Sequence, residues 1–173
     1  MNSRLVFALV ALSISAGAAS ASGVVNSAEG GRSRLTSSAA AEQCVPTRAN
    51  GRHPAATNPG VGTNHGNRWL WVGIPRDGRV VISRGFASVH ENGTIGMKLP
   101  WWRGRSGRLT ISGRRLDASD APLAAHVPSG YGTGGFQSSA VVFAGEGCWS
   151  ITGAVRRRGR VVASLSFVLL VLR

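Results

Sequence analysis

The sequence predicts an all-β domain of the sandwich type, and three observations predict it. Apolar residues recur with period two between turn residues spaced about every eight to twelve positions through the second half of the chain. The 24 Gly and seven Pro, together with short β-branched runs, do not suit a helical bundle. Beyond the first 22 residues no stretch sustains the i, i+3, i+4, i+7 spacing of an amphipathic helix. A length of 173 residues with 43% hydrophobic content suffices for one domain with a real core and excludes wholesale disorder.

Residues 1–22 read as a secretory signal peptide, with one positive charge at Arg4, an apolar stretch over 5–14, and small residues ending in Ala19-Ser20-Ala21. Cleavage is expected after Ala21. The apolar stretch is about half of the ~20 residues that a spanning helix needs, so the leader is read as removed rather than kept as an anchor. Residues 23–67 consist of Ser, Ala, Gly, Asn, Thr and Pro with scattered Arg and carry no apolar period, which marks an irregular or disordered arm. Export places Cys44 and Cys148, the two cysteines of the chain, in an oxidising compartment and predicts a disulfide that ties the arm to the domain.

The folded domain is expected over 68–173. Residues 69–74 form one apolar run, Pro75-Arg76-Asp77-Gly78 is a turn, and 79–84 is the return strand of a hairpin. Further strands are expected at 95–99, 108–112, 123–127, 138–143, 148–155 and 161–172. In 148–155, Trp149, Ile151 and Val155 share one face and Cys148, Ser150 and Thr152 the other, so Trp149 points into the core and Cys148 away from it. A bridge to Cys44 would then hold the arm across the outside or end of a sheet. In 161–172, Leu165, Phe167, Leu169 and Val171 line one face, while on the other Ser164 and Ser166 give way to Val168, Leu170 and Leu172. A strand that ends apolar on both faces is central or covered. Seven to eight strands within the 105 residues from Trp69 to the C-terminus match the size of an immunoglobulin-like antiparallel sandwich.

The strings MKLPWWRGRSGRLTISGRRLDA (97–118), PSGYGTGGFQSSAVVF (128–143) and GCWSITG (147–153) form a spaced series of PWWRG, GRRLD, SGYG with GFQ, and GCW with TG. In this order the series resembles a widespread group of uncharacterised bacterial exported proteins, over roughly residues 44–167 of this chain. The resemblance implies an exported single β-domain with an immunoglobulin-like look, and it implies no activity. Many members of that group look like lipoproteins, whereas Cys44 here follows Ala-Glu-Gln and no lipid-attachment signal.

Catalytic signatures are weak. Gly130-Tyr131-Gly132-Thr133-Gly134-Gly135 has GxGxxG spacing but precedes a strand, and a dinucleotide site needs a helix N-terminus there. The glycines read instead as a long loop that permits positive φ, packed down by Tyr131 and Phe136, with a ligand-binding tip as the functional alternative. The histidines at 53, 65, 90 and 126 lie far apart, none in a metal-ligand spacing, and no Ser lies in a GxSxG elbow. No metal and no cofactor are expected.

Charge carries the strongest functional signal. With 20 Lys and Arg against seven acids the chain has a formal charge of +13 and a pI near 11.9. Arg156-Arg157-Arg158-Gly159-Arg160 fills the turn between the last two strands and would present a compact positive knob to an anionic surface. Arg103, Arg105, Arg108, Arg114 and Arg115 form a second cluster beside Trp101 and Trp102, which read as an aromatic platform for rings or as core. The predicted binding residues are Arg156, Arg157, Arg158, Arg160, Trp101, Trp102, Arg103, Arg105 and Tyr131. Export ranks acidic envelope polymers, anionic lipid headgroups and acidic proteins above nucleic acid as partners. The expectation is a secreted or envelope-associated binding or structural module, not an enzyme. Two alternatives stand beside it: a small secreted hydrolase or metal-dependent enzyme built from His90, His126, Asp117 or Asp120, and an accessory or inhibitor domain for a partner protein.

Overall fold

The computed structural model describes residues 44–54, 64–119 and 122–173, so the leader, most of the arm and Asp120 lie outside the described residues. Among them the strands are β1 (Asn64–Gly66), β2 (Leu70–Gly73), β3 (Arg79–Val81), β4 (Ala87–Val89), β5 (Ile95–Arg103), β6 (Arg108–Arg115), β7 (Ala124–His126), β8 (Gly135–Phe143), β9 (Gly147–Arg157) and β10 (Arg160–Leu172). They form two sheets. One has the order β1-β2-β5-β8-β7, with β4 also on β5, and the other the order β3-β10-β9-β6. Every pairing is antiparallel except that of β3 with β10. The molecule is an all-β sandwich.

Period-two alternation explains the layers. Ile95, Leu99 and Trp101 of β5, with Val141 and Phe143 of β8, face Leu109 of β6, Trp149, Ile151 and Val155 of β9, and Leu165, Phe167 and Leu169 of β10 across one core. Trp101 and Trp149 are fully buried. Each withdraws on the order of 200 Å² from water, about 5 kcal/mol of gross transfer free energy before entropy is counted. Trp101 Nε1 donates to Ser139 Oγ at 3.1 Å, that hydroxyl donates to the Leu99 carbonyl at 3.0 Å, and Trp149 Nε1 donates to Gly145 O at 3.2 Å, so both buried indole donors are met. The ring fills the space above Gly153 of β9, where a Cβ would lie 2.4 Å from the indole.

Three features depart from the sequence expectation. Residues 69–74 and 79–84 do not form a hairpin: β2 belongs to one sheet, and the chain crosses at 75–78 so that β3 pairs in parallel with the end of β10. A turn signal reports that the chain bends, not which sheet receives it. The return strand also stops at Val81, and Ile82–Arg84 make a 3₁₀ turn closed by Gly85 at φ 75°. Asn64–Gly66, inside the span expected to be irregular, forms an edge strand, because the Asn50 side chain accepts the Gly66 N–H and donates to the Gly66 carbonyl.

One edge of β5 is shared by β2 at residues 101–103 and β4 at 95–97. Pro100 falls in the gap between them, where a residue without an N–H interrupts no ladder.

Cys44 is bonded to Cys148. From there the arm donates Thr47 N–H to Val168 O (2.8 Å), Ala49 N–H to Arg76 O (3.0 Å) and Gly51 N–H to Asn64 O (2.9 Å), and so bridges β10 of one sheet to β1 of the other. The outward apolar end of β10 is thereby accounted for: β10 lies between β9 and β3, and Leu170 is 3% exposed opposite Cys148 and its bridge. Closing a loop of 104 residues contributes about 4–5 kcal/mol in the chain-entropy account.

Candidate functional site

Strand ends bring three connections together. Arg103 at the end of β5 pairs with Gly135 at the start of β8, and Arg108 at the start of β6 pairs with Arg156 near the end of β9. The connections 104–107, 127–134 and 158–159 therefore share one end of the sandwich, and Gly107 N–H donates to Thr133 O at 2.7 Å. Between them lies an open groove of about 510 Å³ lined by Arg108, Arg156, Arg157, Arg158, Tyr131 and the backbone of the glycine loop. The two arginine clusters thus merge in part. Arg114 and Arg115 do not join them, because they stand at the far end of β6, level with Ser150 and Trp149.

The hairpin tip has a demanding geometry. Arg157 and Arg160 pair, leaving Arg158 (φ 50°) and Gly159 (φ 78°) as the two central residues of a type I′ turn. Asn-Gly is the usual choice there. Among the described residues Arg158 is the one non-glycine at positive φ, which costs about 1 kcal/mol for a residue with a long side chain. Arg156, Arg157, Arg158 and Arg160 are all exposed.

Arg103 requires a correction: it is not a surface contact but 5% exposed. Its position in the inward series of β5 turns it beneath the glycine loop. Nη1 donates to Gly107 O at 2.9 Å, and Nη2 to the carbonyls of Tyr131 (3.0 Å), Gly132 (3.3 Å) and Gly134 (3.3 Å). Burial lowers its pKa from the ordinary value, and carbonyl dipoles stand where a carboxylate would otherwise compensate the charge. Arg103 pins the loop. Gly130, Gly132 and Gly135 take φ of 93°, 64° and 72°, so the glycine spacing serves the backbone of a loop that enters strand β8.

Trp101 requires the second correction. Adjacent strand residues point to opposite faces, so Trp101 is core and only Trp102 is partly exposed. Trp102 meets its cross-strand partner Phe136 at 5.5 Å between ring centroids, and Phe136 meets Tyr131 at 5.7 Å. This aromatic strip on the outer face of the larger sheet reaches the basic end at Tyr131. Arg105 lies 3.6 Å over the Trp69 ring and Arg68 lies 4.6 Å over it, a pairing that adjacent position in sequence could have suggested for Arg68 alone.

The described carboxylates sit elsewhere. Glu91, Asp117 and Glu146 occupy connections at the opposite end of the long strands, and Asp77 precedes β3, which pairs with the far end of β10. Arg84 lies 3.8 Å from Asp77, Arg115 2.7 Å from Asp117 and Arg173 3.1 Å from Glu146. Arg68, Arg105, Arg108, Arg156, Arg157, Arg158 and Arg160 make no salt bridge with a described carboxylate. Strand register gathers them at one end of the sandwich, where like charges add to a common positive potential that salt screens.

Among the described residues no three His, Cys, Asp or Glu side chains converge on a point that could hold a metal. His90 packs over Gly96, His126 is exposed on β7, and His65 lies with its ring 6.4 Å from that of Phe167. Burial holds the His65 imidazole below its ordinary value, against a smaller opposite effect of a hydrogen bond to the Arg48 backbone. The chain matches no protein-family model, no curated protein and no solved structure.

Proposed function

We propose that the protein is an exported, envelope-associated binding module whose basic end holds an anionic partner. The observation that carries this reading is the convergence of seven arginines on one end of the sandwich with no described carboxylate to neutralise them. The leader at 1–22, which lies outside the described residues, and the resemblance to exported bacterial β-domains support the location. Acidic envelope polymers, anionic lipid headgroups and acidic proteins are the partner classes such a surface takes.

The connectivity supports an immunoglobulin-like reading of the sandwich. Taking β2, β5, β6, β7, β8, β9 and β10 as strands A to G puts A-B-E-D in one sheet and C-F-G in the other. In that frame 104–107 and 158–159 are the B–C and F–G connections, which in antibody variable domains carry ligand-contacting loops. Trp101 of β5 against Gly153 of β9 stands where antibody domains place their B–F disulfide. The likeness is one of architecture and names no ligand.

The test is binding of the purified protein to isolated cell-envelope material across a salt series, beside a variant with Arg156, Arg157, Arg158 and Arg160 changed to Ser. Binding should weaken at least tenfold between about 0.1 M and 1 M salt, as the screening length falls from ~10 Å to ~3 Å, and the variant should lose most of it. Equal binding by both proteins, or binding indifferent to salt, removes the reading.

A further inference from the structure

The apolar side chains at the basic end are arranged as distinctively as the arginines. In β10 the pairing runs Val161 with Arg156 and then Ala163 with Val155, so Val162 is an extra residue in a β-bulge. Inward alternation begins only at Ala163 and continues through Leu165 and Phe167. Unbroken alternation from those residues would turn Val161 inward. With the bulge, Val161 is 49% and Val162 37% exposed, two successive valines directly behind Arg160. Val162 borders a depression with Arg105, Ser106 and Arg157, and Arg105 in turn covers Trp69. Tyr131 of the glycine loop and Phe136 of β8 are also exposed at this end.

A purely electrostatic contact with a soluble polyanion has no use for exposed valines beside the charges. A bilayer does. Its interface takes apolar side chains ~5–10 Å into the acyl boundary while guanidinium groups stay at the level of the phosphates, and Trp and Tyr suit the boundary because one end of each ring system is polar. Anionic headgroups supply the counter-charge that the arginines lack within the fold.

From this arrangement we infer that the basic end docks on an anionic lipid bilayer, with Val161, Val162 and Tyr131 entering the interface and Arg105, Arg157, Arg158 and Arg160 contacting the headgroup phosphates. The inference rests on the anionic-partner reading above and selects one source of the anions.

The experiment compares co-sedimentation of the protein with vesicles of phosphatidylcholine alone and with vesicles containing phosphatidylglycerol. Inorganic polyphosphate serves as a polyanion without acyl chains. The phosphatidylglycerol vesicles should bind and the neutral ones should not. Changing both Val161 and Val162 to Ser should lower vesicle affinity at least tenfold and leave polyphosphate affinity unchanged, because the substitutions remove apolar contact and no charge. A second readout needs no variant: lipids brominated in the acyl chain should quench the tryptophan fluorescence of the bound protein. Trp101 and Trp149, both fully buried, should not contribute. Polyphosphate binding without vesicle binding, wild-type vesicle affinity in a folded serine variant, or absence of quenching in bound protein overturns the membrane inference and leaves the anionic-partner reading standing. Binding to neither probe counts against both.

Discussion

Replacing Arg158 with Asn should stabilise the fold and weaken anion binding in the same molecule. Arg158 occupies the first central position of a type I′ turn at φ 50°, followed by Gly159 at φ 78°. An L-residue with a Cβ and a long side chain sits there at a cost of about 1 kcal/mol, which Asn largely avoids through its local hydrogen bonding. Among the described residues no hydrogen bond or ion pair engages the Arg158 side chain, so nothing in the fold offsets that cost. Arg158→Asn should therefore raise the unfolding free energy by about 0.5–1 kcal/mol, equivalent to roughly 2–6 °C in melting temperature for a domain of this size. The same change removes one exposed guanidinium, worth roughly 1 kcal/mol near an anionic surface, or about a fivefold loss of affinity. Arg158→Gly should relieve the φ strain too, with a smaller gain because glycine adds freedom to the unfolded chain. Thermal unfolding followed by circular dichroism and binding to anionic vesicles or polyphosphate measure the two effects on one preparation. If both variants melt below the wild type, the strain argument is wrong. If Arg158→Asn binds as tightly as the wild type, the tip is not the contact.

Other residues give further tests. Gly153→Ala should destabilise by about 2–3 kcal/mol in denaturant titration, since its Cβ would lie 2.4 Å from the Trp101 ring, and a smaller ring in Trp101→Phe should recover part of the loss. Arg103→Met leaves the carbonyls of Gly107, Tyr131, Gly132 and Gly134 without their donor and should cost about 2 kcal/mol, with new protease cleavage inside 128–135; Arg103→Lys should not rescue it, because one ammonium cannot replace the planar fork. The His65 imidazole titrates below its ordinary value of 6.5 in the folded protein, so below about pH 6.5 the unfolded chain binds the proton first. Stability should accordingly fall as pH drops from 7.5 toward 5, and His65→Gln should flatten that slope in urea titrations at each pH.

Period and charge were legible without coordinates because they are local. Alternation placed Trp149, Ile151 and Val155 on the buried face of β9 and Leu165, Phe167 and Leu169 on that of β10, and all six are buried. The two cysteines had one possible partner each within the chain, and the run of arginines before and after Gly159 had to sit on a tight turn. The sheet to which each strand belongs was not legible, because a turn such as 75–78 reads the same whether it closes a hairpin or crosses between layers. Identical residues one or two positions apart hid opposite roles: Trp101 fills the core against Gly153 while Trp102 lies outside, and Arg103 is buried under the loop while Arg105 covers Trp69. The merging of 104–107, 127–134 and 158–159 into one basic end is likewise a property of strand register. Sequence by itself determined which faces of the strands are apolar and how much charge the chain carries, since each residue brings these with it. Only the tertiary structure decided which charges share an end, because that depends on hydrogen-bond partners up to tens of residues apart.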